Sequence, residues 1–145
     1  MRSGEINHIR LTVGNLAESA AFYSRFLAAL DYRVAHQTSR LISFHHRISP
    51  LAFILSQASE SCPHSRNAPG FHHLAFHASC KEDVDRIYQD VLRGSEQIRI
   101  LDPPCACPEY SPDYYGVFFE DRDGIKLEIA FTPRHFHRVA PDRPA

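Results

Sequence analysis

The chain has 145 residues, 43% of them hydrophobic, which suits one compact core of ordinary domain size and leaves too little for a second. A formal net charge of -1 offers no basic stripe to neutralise phosphates, so nucleic-acid binding has little support. No apolar run approaches membrane-spanning length and the N-terminus lacks a charged-then-apolar export pattern, so a cytoplasmic protein is expected.

Residues 5–13 alternate apolar and polar, the period-2 pattern of a strand with two different faces. Ile9, Leu11 and Val13 share one face, and His8, Arg10 and Thr12 share the other. Asn15, with Glu18 three positions on, can cap the free amides of a helix predicted from Leu16 to Leu30. YRVAH and RLISFHH read as two strands, and PLAFILSQ as a third after the Ser49-Pro50 break. The small, polar, proline-containing segment from Ala58 reads as a linker. FHHLAFHA then opens a new strand, Ser79 and Glu82 form a second capping pair, and KEDVDRIYQDVL is predicted helical up to Gly94. Strands QIRIL, YYGVFFE and IKLEIAF follow, the last two joined by a tight turn at Asp123-Gly124. The tail from Thr132 is expected to wrap the surface or fray. Cys62, Cys80, Cys105 and Cys107 read as reduced thiols, and the segments holding Cys62 and Cys105 to Cys107 as proline-rich loops without the usual zinc spacing.

Sliding the chain by 65 residues lays NHIRLTV over HHLAFHA, with Ile9 on Leu74, Leu11 on Phe76 and Val13 on Ala78. The match continues through the following helix, where Glu18 falls on Asp83, Phe22 on Ile87, Tyr23 on Tyr88 and Leu27 on Leu92. Each copy reads as a strand, a helix and three strands. The first strand of each turns its apolar face to its helix, because that helix carries the matching apolar stripe. His8, Arg10 and Thr12 of one copy, and His73, Ala75 and His77 of the other, are left on the opposite face. In IKLEIAF the same parity sets Lys126 and Glu128 against Leu127, Ile129 and Phe131. His8 and His73 stand at equivalent positions of a repeat. With Glu128 they form a set of two imidazoles and one carboxylate, able to hold a divalent first-row metal with coordination positions left open for water or substrate.

The chain resembles the vicinal oxygen chelate superfamily, the glyoxalase, bleomycin-resistance and extradiol-dioxygenase group. INHIRLTVGNLAESAAFYSRFL is similar to the family's opening strand and helix, GFHHLAFHA to its second ligand strand, and EDRDGIKLEIAF to its closing hairpin. The resemblance implies an α+β fold of tandem βαβββ modules forming cupped eight-stranded mixed sheets. Module 1 would span about residues 5–57, a linker 58–69, module 2 about 70–131 and a tail 132–145. It also implies a metalloenzyme of glyoxalase or dioxygenase type. His8, His73 and Glu128 would hold a divalent ion (iron, manganese, nickel, zinc or cobalt) that chelates adjacent oxygens of a small substrate. A homodimer is implied as well, with the metal site either shared between subunits or held within one chain.

Glyoxalase I-like members of that family carry a glutamate ligand on the last strand of the first module, whereas PLAFILSQ has no carboxylate and offers only Gln57, with Glu60 beyond the strand. The remaining set is closer to dioxygenase-like and fosfomycin-resistance-like members. His77 shares the face of His73 and is a candidate general base. Tyr115 is a second candidate near the reacting group, and Arg10, Thr12 and Lys126 are candidate substrate contacts. His72 has the wrong parity for that face and is expected to be structural. The rival reading is a metal-free protein that sequesters a drug or metabolite in the same cup, as bleomycin-resistance relatives do.

Overall fold

The computed structural model describes residues 4–132, so the expectation for the tail concerns residues outside it, apart from Thr132 itself. Its elements are β1 (His8–Val13), α1 (Leu16–Ala28), β2 (Tyr32–Gln37), β3 (Leu41–His46), β4 (Ala52–Gln57), β5 (His73–His77), α2 (Lys81–Ile87), β6 (Ile98–Ala106), β7 (Tyr115–Asp121) and β8 (Lys126–Phe131). The strands form two four-stranded sheets, ordered β1-β4-β3-β2 and β5-β8-β7-β6. In each, the first strand of the module lies parallel to the last, and every other neighbour is antiparallel. The two modules therefore share one topology, as the duplicated sequence requires. Among the described residues no helix is long and apolar enough to cross a membrane.

Helix α1 begins where the Asn15 side chain accepts a hydrogen bond from the Glu18 amide at 3.2 Å, the cap the sequence implied. The Glu18 carboxylate does not complete a capping box; it pairs with Arg122 at 2.6 Å. The helix ends before Asp31, whose φ of 64° turns the chain into the left-handed region. In the second module the expected Ser79 and Glu82 cap is absent: Cys80 is the capping residue and no side-chain cap bond forms. Helix α2 also does not run uniformly to Leu92. It continues from Tyr88 as one π-helical turn, closed by the Arg93 amide donating to the Tyr88 carbonyl at 2.7 Å.

Strand β6 is longer than QIRIL, since Asp102 to Ala106 continue the ladder through two register shifts, one at Leu101 and one that absorbs Pro103 and Pro104. An edge strand tolerates prolines because one row of its amides has no partner to lose. Cys105 thus belongs to a bulged edge strand, correcting the loop expected there.

A single apolar core spans both modules. Phe26 of α1, fully buried, meets Phe76 of β5 at 5.3 Å and Phe119 of β7 at 5.4 Å, both edge-on. The Tyr23 hydroxyl of α1 donates to the Asp121 carboxylate at 2.7 Å in the same buried layer. Helix α1 therefore lies against the sheets of both modules, whose helix-facing sides share this core. The opposite sides face away from it, and there His8, Arg10 and Thr12 of β1 and His73, Ala75 and His77 of β5 are exposed. Within one chain the expected cup is consequently two separate four-stranded halves, with β1 and β5 as unpaired edges.

Candidate metal centre

Parity assigns the side chains of this site. On β8, Leu127 and Ile129 are fully buried in the core, and Glu128 points to the cup side, paired across the ladder with Ala75 of β5. Lys126 shares that face, its ammonium 4.8 Å above the Phe118 ring. The His73 Nε2 lies 3.7 Å from Glu128 Oε2. Two donors bound to one ion at about 2.1 Å each stand roughly 3.4 Å apart in tetrahedral geometry, close to the separation found here.

Glu128 is only 3% exposed, a costly position for a carboxylate unless its oxygens are satisfied. The Tyr114 hydroxyl donates to Oε1, which leaves Oε2 directed at His73. Burial, followed by that carboxylate, pushes the Tyr114 phenol well above its ordinary pKa, so it stays a donor across the physiological range. Gly116 packs beside this contact, where the tight approach is to the Ile129 carbonyl. A Cβ there would stand 3.0 Å from the Ile129 carbonyl, 3.5 Å from the Tyr114 ring and 3.7 Å from Glu128 Oε1. Loss of hydration lowers the His73 pKa more than Glu128 raises it, which favours the neutral imidazole that ligation requires.

His8 occupies the matching position on β1 and is exposed, its Nδ1 bonded to Asn7 Oδ1 at 2.8 Å. It is not brought to His73 and Glu128 within the chain: among the described residues no group of three or more His, Cys, Asp or Glu side chains is gathered closely enough to hold an ion. One chain assembles two of the three expected ligands, and the third stands alone on the other sheet.

The other expected residues divide in the same way. Arg10 lies on the cup side of the first sheet, its Nε donating to Ser56 Oγ at 3.1 Å. Thr12 borders a hollow with Cys62 and His64. Lys126 lines a hollow of about 190 Å³ beside the second-module site, with Cys105, Cys107, Tyr110 and Phe118. His77, at the end of β5, borders a different hollow with Asp31, His46 and Arg86. Tyr115 points the other way: its hydroxyl donates to Asp85 of α2 at 2.8 Å, and burial with that bond raises its pKa to about 12. The strand pleat is the reason, since Tyr115 shares the parity of the buried Val117 and Phe119 and so faces the helix. The tyrosine at the candidate centre is Tyr114, which has the opposite parity, that of Phe118, the residue paired with Glu128 across the ladder.

Gln57 is likewise committed elsewhere. Its Oε1 accepts from the Leu16 amide at 2.9 Å and its Nε2 donates to the Gly14 carbonyl at 2.7 Å, fixing the entry of α1. Register identifies the true counterpart of Glu128: Arg10 pairs with Ile54 as Ala75 pairs with Glu128, so the duplicated acid position holds an isoleucine.

Comparison with known proteins agrees with this architecture. The profile of the Glyoxalase/Bleomycin resistance protein/Dioxygenase superfamily matches residues 5–129. The uncharacterized protein YqjT of Bacillus subtilis (strain 168) is 31% identical over 128 residues, covering 86% of this chain and 96% of that one. A crystal structure from Bacillus halodurans, provisionally designated a glyoxalase, superposes with a TM-score of 0.75 at 30% identity, covering 90% of this chain and 97% of the other. A glyoxalase/bleomycin resistance protein from Albidiferax ferrireducens T118 shares the fold at 18% identity, with a TM-score of 0.70 over 88% of this chain and 98% of its own. The profile match over most of the chain, on a fold of two βαβββ modules, makes this protein a member of the glyoxalase/bleomycin resistance protein/dioxygenase superfamily.

Proposed function

We propose that the protein is a metal-dependent enzyme acting on a small molecule with two adjacent oxygens, using a divalent ion held by His73 and Glu128 of one chain and His8 of its partner in a homodimer. The observation that carries this reading is the separation of 3.7 Å between His73 Nε2 and Glu128 Oε2, with the Tyr114 hydroxyl occupying the other carboxylate oxygen. A buried acid arranged in this way is suited to a cation.

The unpaired edges support the dimer. β1 and β5 are equivalent edge strands, and each is preceded by an exposed apolar side chain, Ile6 at 63% and Phe71 at 39%. A twofold arrangement that lays β1 of one chain beside β5 of its partner closes an eight-stranded cup. It brings the lone histidine to the two-ligand half, and it makes two such sites per dimer. The ion would supply Lewis acidity to adjacent substrate oxygens. Ile54, at the position of the missing acid, leaves that side of the ion to substrate or solvent. This supports a three-ligand centre of the dioxygenase-like or fosfomycin-resistance-like kind over the isomerase type with its second glutamate. Tyr114 keeps the Glu128 carboxylate oriented. Lys126, on the cup face beside Glu128, and Arg10, fixed by Ser56, are the candidates for holding an anionic substrate.

Metal analysis of protein purified without chelator tests the proposal. Close to one divalent ion per chain is expected, lost in His73→Ala and in His8→Ala; metal at background in the wild type overturns it and favours a metal-free binding protein. Catechols with dioxygen, fosfomycin with thiols, and methylglyoxal with glutathione then sort the reaction class.

A further inference from the structure

In both modules the residue just before the repeat histidine holds the same ring nitrogen. Asn7 Oδ1 lies 2.8 Å from His8 Nδ1, and His72 Nδ1 lies 2.7 Å from His73 Nδ1. Asn7 and His72 occupy one position of the 65-residue repeat, so two different side chains make the same contact in the same register. The His72 and His73 rings meet edge-on at 4.9 Å and 77°, a geometry that keeps the shared contact in place.

The chemistry of that contact decides which nitrogen carries the proton. A side-chain amide oxygen only accepts, so His8 Nδ1 must donate, and His8 Nε2 is left with its lone pair exposed. The second pair admits two arrangements. If His72 donated, His73 would carry its proton on Nε2, aimed at Glu128, and would have no lone pair for an ion. If His73 donates, as His8 does, its Nε2 lone pair faces the gap beside Glu128. A neutral imidazole without such a partner favours the opposite tautomer, with the proton on Nε2, so an acceptor at Nδ1 is a device for presenting Nε2.

We infer that Asn7 and His72 are positioning residues that fix His8 and His73 as Nδ1–H tautomers, so that both Nε2 lone pairs are presented toward the cup. The His8 tautomer is read from the Asn7 contact alone, whereas the choice of donor between His72 and His73 rests on the repeat and on the metal reading above. His72, whose parity marked it as structural, therefore acts through its neighbour.

The test uses the full chain labelled with 15N at histidine, freed of metal and held at about pH 8 so that the rings are neutral. Long-range proton–nitrogen correlation spectra, assigned with His8→Ala and His73→Ala, should show Nδ1–H at both histidines. Asn7→Leu should move His8 to the Nε2–H form, and His72→Leu should move His73, whereas His72→Asn, which copies the first module, should retain the wild-type tautomer. Manganese(II) titration of the same proteins should show affinity reduced about tenfold to a hundredfold in each leucine variant and kept in His72→Asn. Nε2–H at either ring in the wild type overturns the inference, and so does a His72→Leu protein with unchanged tautomer and affinity. Failure of the wild type to take up any ion overturns the proposed function instead, and the metal-free spectra still decide this one.

Discussion

Asp121, at the end of β7, accepts from the Tyr23 hydroxyl at 2.7 Å on one oxygen and from the amides of Asp123 and Ile125, each at 2.9 Å, on the other. Burial is the largest influence on it and raises its pKa, although these three donors pull the other way. A folded-state pKa above the unfolded value means that the folded protein binds this proton more tightly. The associated stability is complete below the unfolded value, about 3.9, and is lost as pH rises through the folded one. Asp121→Asn retains an oxygen for the two amides and removes the titration. The stability of wild type relative to that variant should therefore be greater near about pH 5 than near about pH 7.5, measured by urea unfolding at both. A constant difference would remove Asp121 as the source. At this scale, parity made much of the site legible: alternation alone assigned His8, His73, Lys126 and Glu128 to the cup faces. It gave no role to His72, whose contact is with its chain neighbour His73, and Tyr114 went unassigned although the alternation of YYGVFFE sets it opposite Tyr115, on the face that meets Glu128.

Helix α1 carries more than its own module. Its apolar stripe includes Phe22, Tyr23, Phe26 and Leu27, and Phe26 meets rings of the other sheet on two strands. The periodicity of LAESAAFYSRFLAAL foretold a buried face without saying that two modules would share it, because a hydrophobic stripe does not name its partner. Phe26→Ala should cost about 3–5 kcal/mol, the usual loss for an aromatic side chain in a closed core. Unfolding should remain a single transition by far-UV and near-UV signals, since the cavity opens in a layer belonging to both modules. Two separated transitions would mean that the modules fold independently. The departures in β6 and α2 have local causes that composition obscured. Pro103 and Pro104 suggested a loop, yet an edge position let the ladder continue through them, and a hydrophobic period gives no warning of the π turn before Arg93.

At the scale of the whole molecule, duplication has given each chain two cup halves of unequal chemistry. The second holds His73, Glu128 and Tyr114; the first holds His8, with Ile54 where the acid would be. The halves face away from the core that joins them, so a three-ligand site built from one half of each kind calls for a second chain. The repeat made that unequal pairing readable in the sequence, but the sequence was equally compatible with β1 and β5 of one chain meeting, because both routes satisfy the same apolar pattern. Mixed dimers separate the two routes. His8→Ala and His73→Ala proteins should each bind no ion. If the site is shared, a dimer of one with the other has one cup lacking both histidines and one cup with both intact. Unfolding and refolding an equal mixture makes about half of the dimers mixed, so metal should return to about one quarter of the wild-type content. If each site lay within one chain, every cup in the mixture would lack a histidine and binding would stay at background. Recovery near one quarter thus requires that His8 serve the partner's His73 and Glu128.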